Sequence, residues 1–296
     1  MTFFKMHGTG NDFVVLDALA HELPESFDFA VASRGLCARR WSVGGDGLLL
    51  LTHPDAAARA TGAVVRMRMW NPDGSEDMCG NGLRCIAWLA ASQGHVTAAR
   101  FTVQTLAGPR VAEILDTGMV RVGMSAPSFE LKDLPMNPVG AGAFGADAIE
   151  YSLPLHGLTI PHVTSLSTGS AHTVIFSDEP VAERTFAVLS PQIEHHPWFP
   201  ARTSIMWAQV IDRSCLRLRI WERGVGETLA CGTGACAAAV AAQVTGRCDA
   251  TVSVQSRGGV LRVEWQPGQE IQLLGPAHRV CAGTTVELSN LDAVPA

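Results

Sequence analysis

The feature that most constrains this chain is a motif that occurs twice, once in each half. The run Met69-Trp70-Asn71-Pro72-Asp73-Gly74-Ser75-Glu76-Asp77-Met78 leads into Cys79-Gly80-Asn81-Gly82. The run Ile220-Trp221-Glu222-Arg223-Gly224-Val225-Gly226-Glu227-Thr228-Leu229-Ala230 leads into Cys231-Gly232-Thr233-Gly234. Each copy reads as an apolar strand ending in Trp, a polar residue, a Gly-rich acidic loop, then Cys-Gly-x-Gly and an apolar helix. The cysteines lie 152 positions apart in a chain of 296 residues, close to half its length. A repeat of that size predicts two domains of one design with a single site between them, since clefts between domains are favoured ligand sites.

The flanking patterns agree with that frame. Helices are expected over 82–91, ending near Gly94, and over 234–242, ending near Gly246, because a glycine after the last turn is a common helix stop. The second is apolar nearly all round, so it belongs inside a domain. Strands are expected at 13–17, 48–51, 64–70, 101–104 and 120–124, then at 174–176, 207–211, 215–221, 251–255, 260–265 and 271–274. Leu216-Arg217-Leu218-Arg219-Ile220 shows the clearest period-two alternation of a half-buried strand. A domain boundary falls around Met124-Ser125-Ala126-Pro127, and the Pro-, Gly- and Ala-rich stretch 134–145 reads as loop.

A cysteine at a helix start faces the positive end of the macrodipole, which lowers its pKa and favours the thiolate. The Gly-x-Gly that follows lets backbone N–H groups approach an anion with no side chain in the way. Each motif therefore offers a base and a carboxylate pocket. Two such motifs face to face allow one thiolate to remove the α-proton of an amino acid while the opposing thiol delivers a proton to the other side. The carbanionic transition state would be stabilised by the two helix N-termini, with no need for pyridoxal phosphate or a metal. Cys85 and Cys236, inside the helices, read as core, as do Cys37, Cys215, Cys248 and Cys281. The cysteine spacing lacks the paired pattern of a structural zinc site. Gly232-x-Gly234-x-x-Ala237 and Gly8-x-Gly10 are fragments of a dinucleotide fingerprint without the strand before it or the ribose-binding acid after it.

Composition narrows the partners. Hydrophobic residues make up 47 % of the chain and charged ones 17 %, which suits a packed core rather than disorder. A net charge of −6 argues against nucleic acid or an anionic membrane as partner. The Ala-rich run after Gly234 is broken by Gln243, too short for a membrane span. Met1 to Asp12 lacks the basic-then-apolar order of a signal peptide. A cytosolic protein is expected, with its eight cysteines as thiols rather than a disulfide framework.

Three long motifs in order then carry a resemblance. Lys5-Met6-His7-Gly8-Thr9-Gly10-Asn11-Asp12-Phe13, Asn71 to Gly82 with Arg84-Cys85, and Glu222-Arg223-Gly224-x-Gly226-Glu227-Thr228 through Cys231-Gly232-Thr233-Gly234-Ala235-Cys236 resemble the diaminopimelate epimerase family over almost the whole chain. The resemblance implies an α/β fold of two pseudo-symmetric domains, 1–122 with 278–296 and 123–277, each a mixed sheet wrapped around a central helix. It implies a cofactor-independent isomerase, usually a homodimer, that converts LL- to meso-diaminopimelate for lysine and cell-wall precursors. By position, Cys79 and Cys231 would be the acid/base pair, and Gly80-Asn81 and Gly232-Thr233 would hold the reacting carboxylate. Asn11, Asn71, Glu222 and Arg223 would bind the rest of the substrate, and His172 and Glu222 would tune the cysteines.

Several of these roles stand on chemistry as well. Arg223 suits a bidentate grip on a carboxylate, and Glu222 can accept from an ammonium group. Asn11 and Asn71 also sit where turn chemistry favours Asn. The chain departs from the family's pattern at Gly47 (usually Gln), at Ser170-Ala171-His172 (usually Asn-Pro-His), at Ser204 (usually Asn), and in a loop from Asn71 to Cys79 that is one residue shorter. Ser170 and Ser204 fall where the family holds the distal end of its substrate, and serine has a shorter reach and a different donor set. The two-cysteine reaction on another α-amino acid is therefore the alternative, and a non-catalytic amino-acid-binding protein is the alternative outside enzymes.

Overall fold

In the computed structural model, residues 1–137, 147–155 and 157–285 are described. Of the loop expected over 134–145, residues 138–145 lie outside them, as does the end of the C-terminal segment beyond 285. The chain divides into two compact units, Met1–Gly123 with Leu274–Ala296, and Met124–Leu273.

The first unit opens on a hairpin of β1 (Thr2–Gly8) and β2 (Asn11–Asp17). Thr9 and Gly10 turn it with both φ positive, the two-residue turn whose twist matches the flanking strands. The Gly8-x-Gly10 fragment is this turn. There follow α1 (Phe29–Cys37), β3 (Gly47–Thr52), α2 (Ala56–Ala60), β4 (Ala63–Trp70), β5 (Glu76–Asp77) and α3 (Gly80–Ser92). β6 (Arg100–Thr105), β7 (Gly108–Ile114) and β8 (Met119–Gly123) complete the run. Asp28 caps α1 by accepting from the Ala30 and Val31 N–H groups, the usual answer to unpaired first-turn donors. The strands curl around α3, which touches β1, β2, β3, β4, β7 and β8. Leu83, Ile86, Leu89 and Ala90 are fully buried by that wrapping.

The second unit contains β9 (Tyr151–Leu155), β10 (Leu158–Ser167), β11 (Ala171–Ser177), α4 (Glu183–Glu194), β12 (Ser204–Asp212) and β13 (Cys215–Glu222). It continues with β14 (Gly226–Thr228), α5 (Gly232–Val244), β15 (Thr251–Ser256) and β16 (Gly259–Glu264). β17 (Gln272–Pro276) leads back into the first unit, where β18 (His278–Thr284) pairs antiparallel with β1. α5 is buried from Ala235 to Ala242, as its all-round apolar sequence requires.

The two units repeat one pairing scheme. Along β1–β2–β3–β4–β6–β7 the pairings run antiparallel, parallel, antiparallel, parallel, antiparallel. Along β10–β11–β12–β13–β15–β16 they run the same way. The register matches residue by residue: Trp70 faces Leu48 as Trp221 faces Ile205. Arg68 holds Glu76 through two hydrogen bonds of 2.7 and 2.9 Å, tying β4 to β5. Arg219 holds Glu227 likewise at 2.8 and 3.1 Å, tying β13 to β14. Each clamp fixes the loop that delivers the cysteine. Its guanidinium also lies over an aromatic ring, Trp70 at 4.5 Å and Phe186 at 3.7 Å, a stacked arrangement that Arg favours.

The helices expected over 82–91 and 234–242 are α3 and α5, two residues longer at their starts, and Gly94 and Gly246 follow them with positive φ. The sequence pattern did not reveal α1, α2 and α4, nor β1, β5, β7, β9, β10, β14 and β18. α4 hides its helical period behind Pro191 and a largely polar outer face. β18 is exposed along most of its length, so it carries no alternation.

Candidate active site

In the first unit Cys79 is the N-cap of α3, with extended backbone (φ −138°, ψ 123°). Its sulfur accepts from the Gly82 N–H at 3.5 Å. A Cβ at Gly82 would lie 2.9 Å from Leu49 Cδ2, so the glycine lets Leu49 pack close to the helix start. Cys79 Sγ donates to Asn11 Oδ1 at 3.5 Å, and Asn81 Nδ2 donates to the same oxygen at 3.3 Å. The Asn11 amide is oriented for this by Asp46, whose carboxylate accepts from Asn11 Nδ2 at 2.9 Å and from the Asp12 N–H at 3.0 Å. Arg39 pairs with both Asp12 and Asp46, and Lys5 with Asp12. Asn81 is fixed in turn by the fully buried Arg84, which donates to Asn81 Oδ1 at 2.9 Å. Gly80 and Asn81 occupy the first turn, where backbone N–H groups have no partner within the helix. Asn71 begins the loop before Cys79, and its amide donates to Ser75 Oγ at 3.1 Å and Asp77 Oδ2 at 3.4 Å, a turn-forming role. Ser33 Oγ anchors the loop by donating to Asn71 O at 2.6 Å.

In the second unit Cys231 is the N-cap of α5 with nearly the same backbone (φ −134°, ψ 116°). Its sulfur accepts from the Gly234 N–H at 3.4 Å and lies 3.4 Å from Thr233 Oγ1. A Cβ at Gly234 would lie 2.5 Å from Met206 Sδ, so the Met206 side chain packs on the space that glycine leaves. Gly232 is buried and Thr233 half-buried in the first turn, and Thr233 O accepts from Thr168 Oγ1 at 3.0 Å. Cys231 is only 7 % exposed.

The pKa of Cys231 runs opposite to the sequence expectation. Burial, and after it the negative charge of Glu222, push the thiol well above its ordinary value. Hydrogen bonds from Thr233 and Gly234 pull the other way and lose. The helix terminus supplies partial charges, whereas desolvation penalises a whole one. Cys231 therefore rests as a thiol. Cys37 and Cys248 are pushed up to about 11 and Cys85 to about 12, all by burial. Cys37, Cys85, Cys236 and Cys248 are buried as expected, but Cys215 is half-buried and Cys281 exposed, so neither is core.

His172 on β11 is 1 % exposed, and burial, then the charge of Arg223, lower its pKa to about 3. It is a neutral imidazole. Ser170 Oγ lies 3.0 Å from its Nε2, while Nδ1 has no hydrogen-bond partner among the described residues. Ser204 Oγ accepts from the Arg223 N–H at 3.1 Å, and Arg223 Nη1 donates to Ala201 O at 3.0 Å. Glu222 accepts from Thr228 Oγ1 across the loop. The structure thus gathers Asn11, Asn81, Gly80 and Cys79 in one unit, and Ser170 with His172, and Ser204 with Arg223, in the other.

Sequence reasoning missed the residues that hold this scaffold in place. Glu194, at the end of α4, is buried and accepts from the Gly224 N–H at 2.8 Å, Trp221 Nε1 at 2.7 Å and Arg202 at 3.3 Å, fixing the Glu222-Arg223 loop. Asp46 and Arg39 help fix Asn11 and carry no local signal either, while Lys5 stands in the first motif with no role of its own legible there. A buried acid in a helix unread from the sequence gives no local signal.

The diaminopimelate epimerase family model matches residues 3–130 and 164–280. The diaminopimelate epimerase of Moorella thermoacetica is 43 % identical over 291 residues, spanning 96 % of this chain and 98 % of that protein. That of Desulforudis audaxviator is 42 % identical over 293 residues, spanning 97 % and 99 %. Among solved structures, a hydroxyproline epimerase from Agrobacterium vitis with bound trans-4-hydroxy-L-proline shares the fold, with a TM-score of 0.64 at 16 % identity over 96 % of this chain and 91 % of that one. Matched by the family model across most of its length, and by relatives above 40 % identity end to end, the chain belongs to the diaminopimelate epimerase family.

Proposed function

We propose that this protein interconverts LL- and meso-2,6-diaminopimelate in the cytoplasm, as a homodimer and without a cofactor, with Cys79 and Cys231 as the two acid/base groups. The observation that carries this reading is the duplicated unit, in which each central helix begins at a cysteine, within a chain whose relatives are diaminopimelate epimerases. In one direction the Cys79 thiolate takes the α-proton and becomes a thiol. The electron pair is left on the α-carbon, and the Cys231 thiol protonates that carbon from its other side and becomes a thiolate. The raised pKa of Cys231 supports its role as the resting acid. The reverse direction exchanges the roles. The first turns at Gly80-Asn81 and Gly232-Thr233 would hold the reacting carboxylate, where helix N-termini favour the charge that builds up on it. Asn11, Asn71, Glu222 and Arg223 would bind the remainder, and His172 and Glu222 would set the charge around Cys231.

A second reading, the same reaction on another α-amino acid, draws on three positions. The hydroxyls of Ser170 and Ser204 are engaged by His172 and by the Arg223 N–H. At Gly47 a Cβ would meet Met69 Cε at 2.9 Å and Trp70 O at 3.0 Å, so no side chain projects there. Exchange of the α-proton in deuterated water, followed on a panel of amino acids, separates the readings. Rapid exchange on diaminopimelate is expected. Silence there with exchange on another amino acid selects the second reading, and silence throughout selects a binding protein.

A further inference from the structure

The second unit contains a cavity of about 270 Å³ on the sheet face that carries α4, opposite the face that packs on α5. We propose that it is a binding site for a small carboxylate with an apolar body, centred on Arg217. The inference is independent of the cysteine chemistry.

The lining is charged with one sign only. Arg217, Arg219 and Arg257 border the cavity, and no acidic residue does among the described residues. Glu183 and Glu227 neutralise Arg219, both at 2.8 Å, and Glu227 also pairs with Arg257 at 2.8 Å. Arg217 is different. Among the described residues its side chain has one partner, the uncharged Gln209 Oε1 at 3.1 Å. Trp207 and Val181 supply an apolar wall beside it. A solvent-facing guanidinium with no carboxylate partner among the described residues, next to an apolar wall, suits a planar carboxylate held through two parallel hydrogen bonds, with a hydrocarbon or aromatic body against the Trp.

The internal repeat says what belongs at this corner. In register, Arg217 pairs with Gln255 across β13 and β15, as Arg66 pairs with Gln104 across β4 and β6. In the first unit, residues 53–62 between β3 and β4 bring a carboxylate to that pair. Asp55 Oδ2 accepts from Gln104 Nε2, and the Asp55 N–H donates to Gln104 Oε1 at 3.0 Å. Hydrogen bonds from the Ala58 N–H and then Gln104 hold the Asp55 acid below its usual range, and the nearby Arg66 charge adds a smaller share. In the second unit the corresponding connection is only residues 213–214, and Gln255 Nε2 donates instead to Cys215 Sγ at 3.3 Å, a weak acceptor. The same Arg–Gln pair therefore meets a built-in carboxylate in one copy and a cavity in the other.

The test uses the full-length protein and phenylacetate as probe, with binding read by calorimetry and by the Trp207 indole resonance, assigned with Trp207→Phe. Phenylacetate should bind one per chain and shift that resonance. Arg217→Gln should weaken binding at least tenfold, with Arg217→Lys falling between. Phenylacetamide, which lacks the charge, should leave the resonance where it is. The proposal is overturned if phenylacetamide shifts it equally, if Arg217→Gln binds as the parent does, if binding occurs without moving Trp207, if phenylacetate does not bind, or if inorganic phosphate binds there more tightly than the carboxylate.

Discussion

Cys79 and Cys231 cap their helices with backbone angles within 10° of each other, and each accepts from the second glycine of its motif at 3.4 to 3.5 Å. Their side-chain surroundings differ. Cys79 is half-buried beside the neutral amide of Asn11, whereas Cys231 is buried beside the carboxylate of Glu222. The counterpart of Glu222 in the first unit is Asn71, the residue after the matching Trp. Duplication of the backbone has thus kept the helix-terminus contribution equal in the two copies, and the neighbours make them unequal. In the proposed two-cysteine reaction, which starts with one group deprotonated and the other protonated, that inequality favours Cys231 as the protonated one.

The comparison can be broken at several points. Cys79→Ala and Cys231→Ala should each lower the rate of α-proton exchange by about 10²–10⁴-fold, the usual worth of a positioned acid or base. A variant that keeps its rate would remove that cysteine from the pair. A smaller effect probes the asymmetry itself. Glu222→Gln removes the like charge beside Cys231, so alkylation of Cys231 at neutral pH should speed up by roughly tenfold for each unit its pKa falls. Alkylation of Cys79, followed in the same digest by mass spectrometry, should change less. Equal acceleration at both sites would mean that Glu222 does not single out Cys231.

A third effect concerns stability. His172 is matched in register by Phe13, which cannot titrate. Because burial holds the folded-state pKa of His172 near 3, the unfolded chain takes up a proton below about pH 6.5 that the folded one refuses. Stability should fall as pH drops from about 6.5 toward 3, with His172 contributing at most about 1.4 kcal/mol per pH unit. Chemical denaturation of His172→Gln across that window should give a shallower slope, and an unchanged slope would show that His172 is not the group responsible.

Much of this architecture could be read from the residues before any coordinates. The doubled Cys-Gly-x-Gly motif marked both central helices, because a cysteine followed by two glycines and an alanine-rich run leaves few other readings. Most inner strands announced themselves through alternation, Leu216 to Ile220 above all. The outer layer did not. α4 lies half in solvent with Pro191 inside it, and its most consequential residue, Glu194, acts on Trp221 and Gly224, 27 and 30 positions away. The protonation state of Cys231 was also misjudged. A helix N-terminus is visible in a sequence, but the degree of burial that outweighs it is set by strands from elsewhere in the chain.

β18 pairs with β1 as β9 pairs with β10, so each unit has an outer strand beside its first hairpin. The second unit takes that strand from just upstream, whereas the first takes it from residues 278–284. On the ribosome, where chains emerge from the N-terminus, the earlier-made half must therefore wait with an uncovered β1 edge until nearly all of the chain has appeared. The later-made half, contiguous from 124 to 273, can close first.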